Sequence, residues 1–224
     1  MKNKFNEDSY LKEVSTKIKS IFSEDEKNCV QLEDNIFYPQ GGGQKGDSGM
    51  LIIAGKNLKV VNTVKDKYSD EGILLITEEK LPDDTVGSEI LCKLDWDFRY
   101  KQMKLHTAVH LHHCIIEKVA GKKVQYPQTS DIQDGFAFNR YEKDVISQDL
   151  VELANNEFRK VISEGAEVKT YTDAEKEGFR WWECLGFKIP CGGTHVANIS
   201  EIGEVGVTYS QKKGKSTVNI SLVK

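Results

Sequence analysis

All five histidines of this 224-residue chain fall in two short segments, and that distribution constrains the fold more than any other feature. His106, His110, His112 and His113 stand in QMKLHTAVHLHHC, and His195 closes PCGGTHV, four residues after Cys191. On a helix, HxxxH sets two imidazoles one turn apart on one face. The CxxxH segment adds a thiolate and a third imidazole, and the four form a normal tetrahedral zinc set. A thiolate in the set favours zinc over magnesium or manganese. The helix near residue 106 and the segment near 191 are then expected to meet at one ion. Such a chain is a metal-binding protein first and a candidate hydrolase second.

Other readings of the same residues stand beside that one. His106 and His110 could be ordinary polar helix residues, or the zinc could be purely structural, since four good ligands saturate it. Cys114 and Cys184 are alternative thiols, ranked below Cys191. His113 lies three residues beyond His110 near the same face, whereas His112 points elsewhere. Ala108 and Val109 stand between the paired histidines, so no glutamate base of the HExxH kind accompanies them.

An apolar fraction of 38% and a charged fraction of 29% fit a globular chain with a real core. No apolar run approaches a membrane span, and MKNKFNEDSYLKE lacks the apolar core of a secretory signal. Five scattered cysteines suit a reducing compartment, so the expected location is the cytoplasm. The net charge of −4 argues against wholesale nucleic-acid binding. Lysines cluster locally at Lys118, Lys122 and Lys123, and at Lys212, Lys213 and Lys215, where they could steer a phosphate backbone.

The first half reads as short strands (NCVQLEDNIFY, MLIIAG, LKVVNTV, GILLITE, SEILCKL) divided by turn residues, which suggests a small barrel or sandwich. The second half changes period. From Asp95 or Asp97 a helix is expected to run to Gly121, and a second from Ser147 over 147–164 to a stop at Gly165. KKVQYP and DGFAFNRYE read as strands around the loop PQTSD, AEVKTYT as a strand, and the tail as a hairpin turning at Lys213-Gly214. The expectation is an α+β chain: a β-rich barrel-like domain over 1–94, then a two-layer α+β zinc-binding domain over 95–224.

The segment NIFYPQGGGQKGDSG is the other unusual feature. It lacks the GK[ST] ending of a phosphate-binding loop and runs toward a strand rather than a helix, and it is no Rossmann fingerprint. No nucleotide cofactor is expected. Consecutive glycines followed by Gln44 and Asp47 suggest close backbone approach by a ligand or another domain.

Taken in series, FYPQGGGQKGDSG, DWDFRY with HTAVHL, and PCGGTHVANISEIG resemble the alanyl-tRNA editing family, which comprises the editing domain of alanyl-tRNA synthetase and the free-standing AlaX proteins. The resemblance covers nearly the whole chain, from Tyr10 to the final hairpin. It implies one zinc held by His106, His110, Cys191 and His195, and hydrolysis of the ester joining serine or glycine to alanine tRNA. Gln44, Thr107 and Thr194 are the expected catalytic polar groups; Gly42, Gly43, Val109 and His113 are expected to line the substrate pocket. Arg99, Lys122, Lys123 and Lys213 are the expected tRNA contacts. Family members often carry threonine or glutamine where this chain has Val109, whose methyl groups cannot hydrogen-bond a serine hydroxyl. Two further readings are a deacylase of another aminoacyl-tRNA, such as seryl-tRNA(Thr), and a non-catalytic zinc-stabilised RNA-binding module.

Overall fold

The computed structural model describes residues 2–69 and 72–223. The chain forms two compact units, Met1–Gly41 with Lys45–Tyr100, and Gly42–Gln44 with Lys101–Lys224.

The first unit contains β1 (Lys2–Asn3), β2 (Glu13–Glu24), β3 (Lys27–Leu32), β4 (Asp34–Asn35), β5 (Gly49–Ile53), β6 (Lys56–Lys65), β7 (Ile73–Thr77) and β8 (Glu89–Leu94). Six of these close into a barrel in the order β2-β3-β7-β6-β5-β8, every neighbouring pair antiparallel, while β1 and β4 make a short parallel pair. Closure removes the exposed edges that an open sheet would present. Alternation fills the interior: Ile90, Cys92 and Leu94 of β8 point in, as do Leu58 and Val60 of β6, joining Ile18, Leu32, Phe37 and Leu51. Each such side chain contributes about 1.5–3 kcal/mol.

The twelve-residue strand β2 is absent from the expected set. Its turn into β3 is Asp25-Glu26, both left-handed (φ 47° and 62°) and without a glycine to mark it.

One ion pair of this unit fixes Asp47, which follows the glycine run. Asp47, 1% exposed, meets Arg99, 0% exposed, through Nε at 2.9 and 3.0 Å and through Nη2. Arg99 also donates to the carbonyls of Ser9 (3.1 Å) and Ile36 (2.8 Å), and Asp47 accepts from the amide of Tyr38 at 2.5 Å. A guanidinium wholly enclosed by these partners cannot meet a tRNA, so the expected contact by Arg99 is corrected: it is a clamp on the residue behind the glycine run.

Helix α1 (Trp96–Ala120) starts at Asp95, whose carboxylate accepts from Phe98 N at 3.1 Å, and ends before Gly121. The division between units falls within α1 after Tyr100, rather than at the expected boundary of residue 94. The second unit continues with β9 (Thr129–Ile132), β10 (Phe136–Glu142), α2 (Gln148–Glu164), β11 (Lys169–Thr172), β12 (Arg180–Cys184), β13 (Phe187–Pro190), β14 (Val205–Lys212) and β15 (Lys215–Leu222). An antiparallel sheet runs β14-β15-β10-β9, and a smaller one β11-β12-β13. Ser147 caps α2 by accepting from Leu150 N at 3.2 Å, and Gly165 closes it at φ 73°.

Two local expectations change. KKVQYP is irregular, and the strand lies instead at Thr129–Ile132, overlapping the end of the expected loop PQTSD. The hairpin of β12 and β13 also went unanticipated, because its turn, Leu185-Gly186, begins with an apolar residue at φ 50°.

Helix α1 is buried on nearly every side over its central turns. It packs on the larger sheet, where Asn139 of β10 donates to Val109 O at 3.0 Å, and on α2, where His112 Nε2 meets Asn155 Oδ1 at 2.8 Å. The described residues form an α+β fold with a six-stranded barrel and two α-helices.

Candidate metal centre

The middle of α1 and the loop following β13 bring His106, His110, Cys191 and His195 together, with their ligand atoms within 4.8 Å of one another. Cys191 Sγ lies 3.5 Å from His106 Nε2 and 3.3 Å from His195 Nε2. Bond lengths to a tetrahedral zinc of about 2.3 Å for sulfur and 2.0–2.1 Å for nitrogen give a sulfur–nitrogen edge of about 3.6 Å. These two edges are therefore already close to what an ion would impose.

Local packing makes that approach possible. The loop is tied to β12 by Cys191 N donating to Arg180 O at 2.9 Å. A Cβ on residue 193 would lie 2.2 Å from His106 Cε1, so only glycine lets the loop backbone press against that ring. Gly43, at φ 84°, plays the same part elsewhere: its Cβ would sit 2.4 Å from Ser130 O. Its carbonyl accepts from Ile132 N at 2.9 Å.

Hydrogen bonds settle which nitrogen of two rings is free. Gln44 Oε1 accepts from Thr194 N at 3.0 Å, so it is the amide oxygen, and His106 Nδ1, 3.0 Å away, must donate to it. Gln44 Nε2 donates to Thr194 Oγ1 at 2.8 Å. Thr107 Oγ1 donates to Met103 O at 2.9 Å, which leaves it to accept from His195 Nδ1 at 3.1 Å and Val196 N at 3.2 Å. In both histidines Nε2 keeps its lone pair and faces Cys191. This is the arrangement in which outer hydrogen bonds orient metal-binding imidazoles.

The electrostatics of the four side chains suit a cation. Burial lowers His106 to about 4 and takes His110 and His195 well below 6.5, so all three rings are neutral near pH 7. Burial raises the Cys191 thiol to about 11, opposed by the Gly193 amide and the Arg180 charge. Four donors, three of them neutral imidazoles and one a reluctant thiol, suit a thiophilic divalent ion that would stabilise the thiolate. His110 Nδ1 is buried with no hydrogen-bond partner. The residues fit zinc.

A profile described as the threonyl and alanyl tRNA synthetase second additional domain matches residues 183–220, which include Cys191 and His195. Over most of its length the chain is also similar to free-standing proteins. It is 31% identical to the alanyl-tRNA editing protein AlaX-M of Pyrococcus horikoshii, over 89% of this chain and 86% of that one. With the AlaX-M of Methanosarcina barkeri it is 31% identical over 93% of each. The chain belongs to the alanyl-tRNA editing protein AlaX-M family. It is also 27% identical to the alanine–tRNA ligase of Saccharolobus islandicus over 96% of this chain, but spans only 26% of that enzyme.

In this AlaX-M family member the remaining expected site residues are placed as follows. Gly42, Gly43 and Gln44 cluster with the second unit although the expected boundary put them in the first; the bonds of Gly43 and Gln44 to Ile132, Thr194 and His106 are the reason. Val109 is buried. His113 is 3% exposed and hydrogen-bonds Tyr141 Oη at 3.1 Å. Lys122, Lys123 and Lys213 are exposed, Lys213 at a left-handed turn position. Cys114 and Cys184 are buried, their thiols pushed by desolvation to about 12 and about 11. Sequence reasoning missed Trp182, fully buried, whose ring meets His110 edge-on at 5.3 Å and His195 at 6.1 Å. Only the alternation along β12, invisible without the strand, puts Trp182 on the inner face.

Proposed function

We propose that this chain is a trans-editing hydrolase that removes serine or glycine from mischarged alanine tRNA. The observation that carries the reading is the convergence of HxxxH and CxxxH within 4.8 Å in a member of the AlaX-M family. In the reaction a water oxygen bonds to the ester carbonyl carbon, the bond from that carbon to the ribose oxygen breaks, and the free amino acid and the tRNA hydroxyl leave. Zinc held by His106, His110, Cys191 and His195 would supply Lewis acidity to an activated ester.

The chain's own residues hold that site. Gln44 and Thr107 orient His106 and His195, and Thr194 holds Gln44, so the three expected catalytic groups act as positioning residues. Lys122, Lys123 and Lys213 offer cations for the tRNA backbone, whose binding should weaken with salt. An enzyme that acts on tRNA of the translation machinery belongs in the cytoplasm; among the described residues no helix is long and apolar enough to cross a membrane.

A deacylase of threonine tRNA is the second reading, because the matched profile serves both synthetases. The glycine segment and the relatives that match across most of the chain favour the alanine branch.

The test is hydrolysis of seryl-, glycyl- and alanyl-esters of alanine tRNA by zinc-loaded and metal-stripped protein. Loss of the seryl or glycyl ester with the alanyl ester spared, abolished without zinc, is expected. Folded, zinc-replete protein that cleaves none of them would overturn the proposal.

A further inference from the structure

The metal centre leaves one buried group of α1 without a role. His113 lies three residues beyond His110, about 4.5 Å along the helix axis. Its ring has two near-parallel neighbours: Tyr141 at 5.9 Å and 20°, and Tyr126 at 4.9 Å and 29°. Tyr141 and His113 are buried, whereas Tyr126 is 54% exposed. Tyr126 stands in the irregular stretch between α1 and β9, where an exposed tyrosine would ordinarily rotate freely. Two contacts hold it. Its ring lies flat against the buried imidazole, and Glu117, one turn on from His113, anchors the segment by accepting from Lys123 Nζ at 2.8 Å and from Val124 N at 3.1 Å. The result is an aromatic ring fixed in place and open to solvent, rooted one helical turn from a metal ligand and preceded by exposed Lys122 and Lys123.

A rigid, half-exposed aromatic beside cations is what a single-stranded nucleotide uses as a stacking surface, since every base presents a π-face. We propose that Tyr126 is the stacking platform for the terminal base of the aminoacylated 3′ strand, holding that nucleotide so that its ester reaches the metal centre. The inference rests on the reading of the chain as an aminoacyl-tRNA deacylase. Lys122 then lies close enough in sequence to meet a flanking phosphate, and Glu117, neutralised by Lys123, does not repel it.

The experiment is a titration of zinc-loaded protein with the single-stranded RNA trinucleotide CCA carrying 2-aminopurine as its last base, whose emission falls on stacking. Wild type and Y126F are expected to quench it with similar affinity. Y126A is expected to bind about tenfold or more weakly and to raise KM for seryl-tRNA by a similar factor, with Y126F restoring both. Should Y126A lose its native circular dichroism or zinc content, Y126Q, which still covers His113, takes its place. Equal quenching by wild type and the non-aromatic variants, or none by wild type, overturns the inference. If wild type nonetheless deacylates seryl-tRNA, the deacylase reading survives; quenching that depends on Tyr126 without deacylation of any ester leaves the platform and sinks that reading.

Discussion

Gln44 and Thr107 do one job on two rings. Each presents an oxygen to the Nδ1–H of a histidine and thereby points the Nε2 lone pair toward Cys191, where the proposed zinc would be held. Losing such a partner lowers metal affinity by about 10- to 100-fold. Gln44→Ala and Thr107→Val are each expected to weaken zinc binding by about that factor in competition with a chelating dye; unchanged affinity in both would remove their positioning role. Arg99 is a different case, a buried partner of Asp47. Truncating one partner of a buried, fully hydrogen-bonded ion pair costs about 3–5 kcal/mol. Arg99→Met should therefore lower unfolding free energy in urea by that amount; a loss below about 1 kcal/mol would mean that Asp47 finds other partners.

At the scale of elements, the turns are left-handed pairs in several hairpins: Asp25-Glu26, Ala54-Gly55, Leu185-Gly186 and Lys213-Gly214. Such turns match the twist of the strands they join. Leu185 is ill-suited to its place, at φ 50° and 46% exposed, since a left-handed backbone costs a non-glycine residue about 1–2 kcal/mol. Asparagine tolerates that region. Leu185→Asn is expected to stabilise the protein by about 0.5–1 kcal/mol, read as a rise in Tm; a fall would show that the leucine side chain has a packing role outweighing its strain.

The distribution of histidine has a consequence for the whole molecule. Burial lowers every one of the five: His106 and His112 to about 4, His113 below 6.5, His110 and His195 well below. In the unfolded chain each takes a proton near pH 6.5. Between pH 6.5 and about 4 the unfolded chain therefore binds more protons, and stability, full above 6.5, falls as pH drops. Each histidine contributes at most about 1.4 kcal/mol per pH unit. The metal-free protein should lose urea resistance steadily over that window, and His112→Leu should make the slope shallower by about one histidine's share. An unchanged slope would mean that His112 is protonated in the folded state.

The His/Cys cluster that could hold a metal was legible in the sequence because its spacings are short-range: HxxxH is one helical turn, and CxxxH fits in one loop. So were the barrel class, from apolar alternation between turn residues, and both long helices, from caps at Asp95, Ser147 and Gly165. Where a left-handed turn contains a residue that is a poor turn signal, as Glu26 is in Asp25-Glu26 and Leu185 in Leu185-Gly186, the pattern is weak, and strands β2, β12 and β13 went unread. The ion pair of Arg99 with Asp47, the bonds of Gln44 to His106 and Thr194, the bond of Thr107 to His195 and the stack of Tyr126 on His113 join residues from 13 to 150 positions apart. Local sequence chose the chemistry of this protein; which nitrogen each histidine offers, and which cation is hidden, were decided by tertiary packing, because burial and hydrogen-bond partnership exist only once distant segments meet.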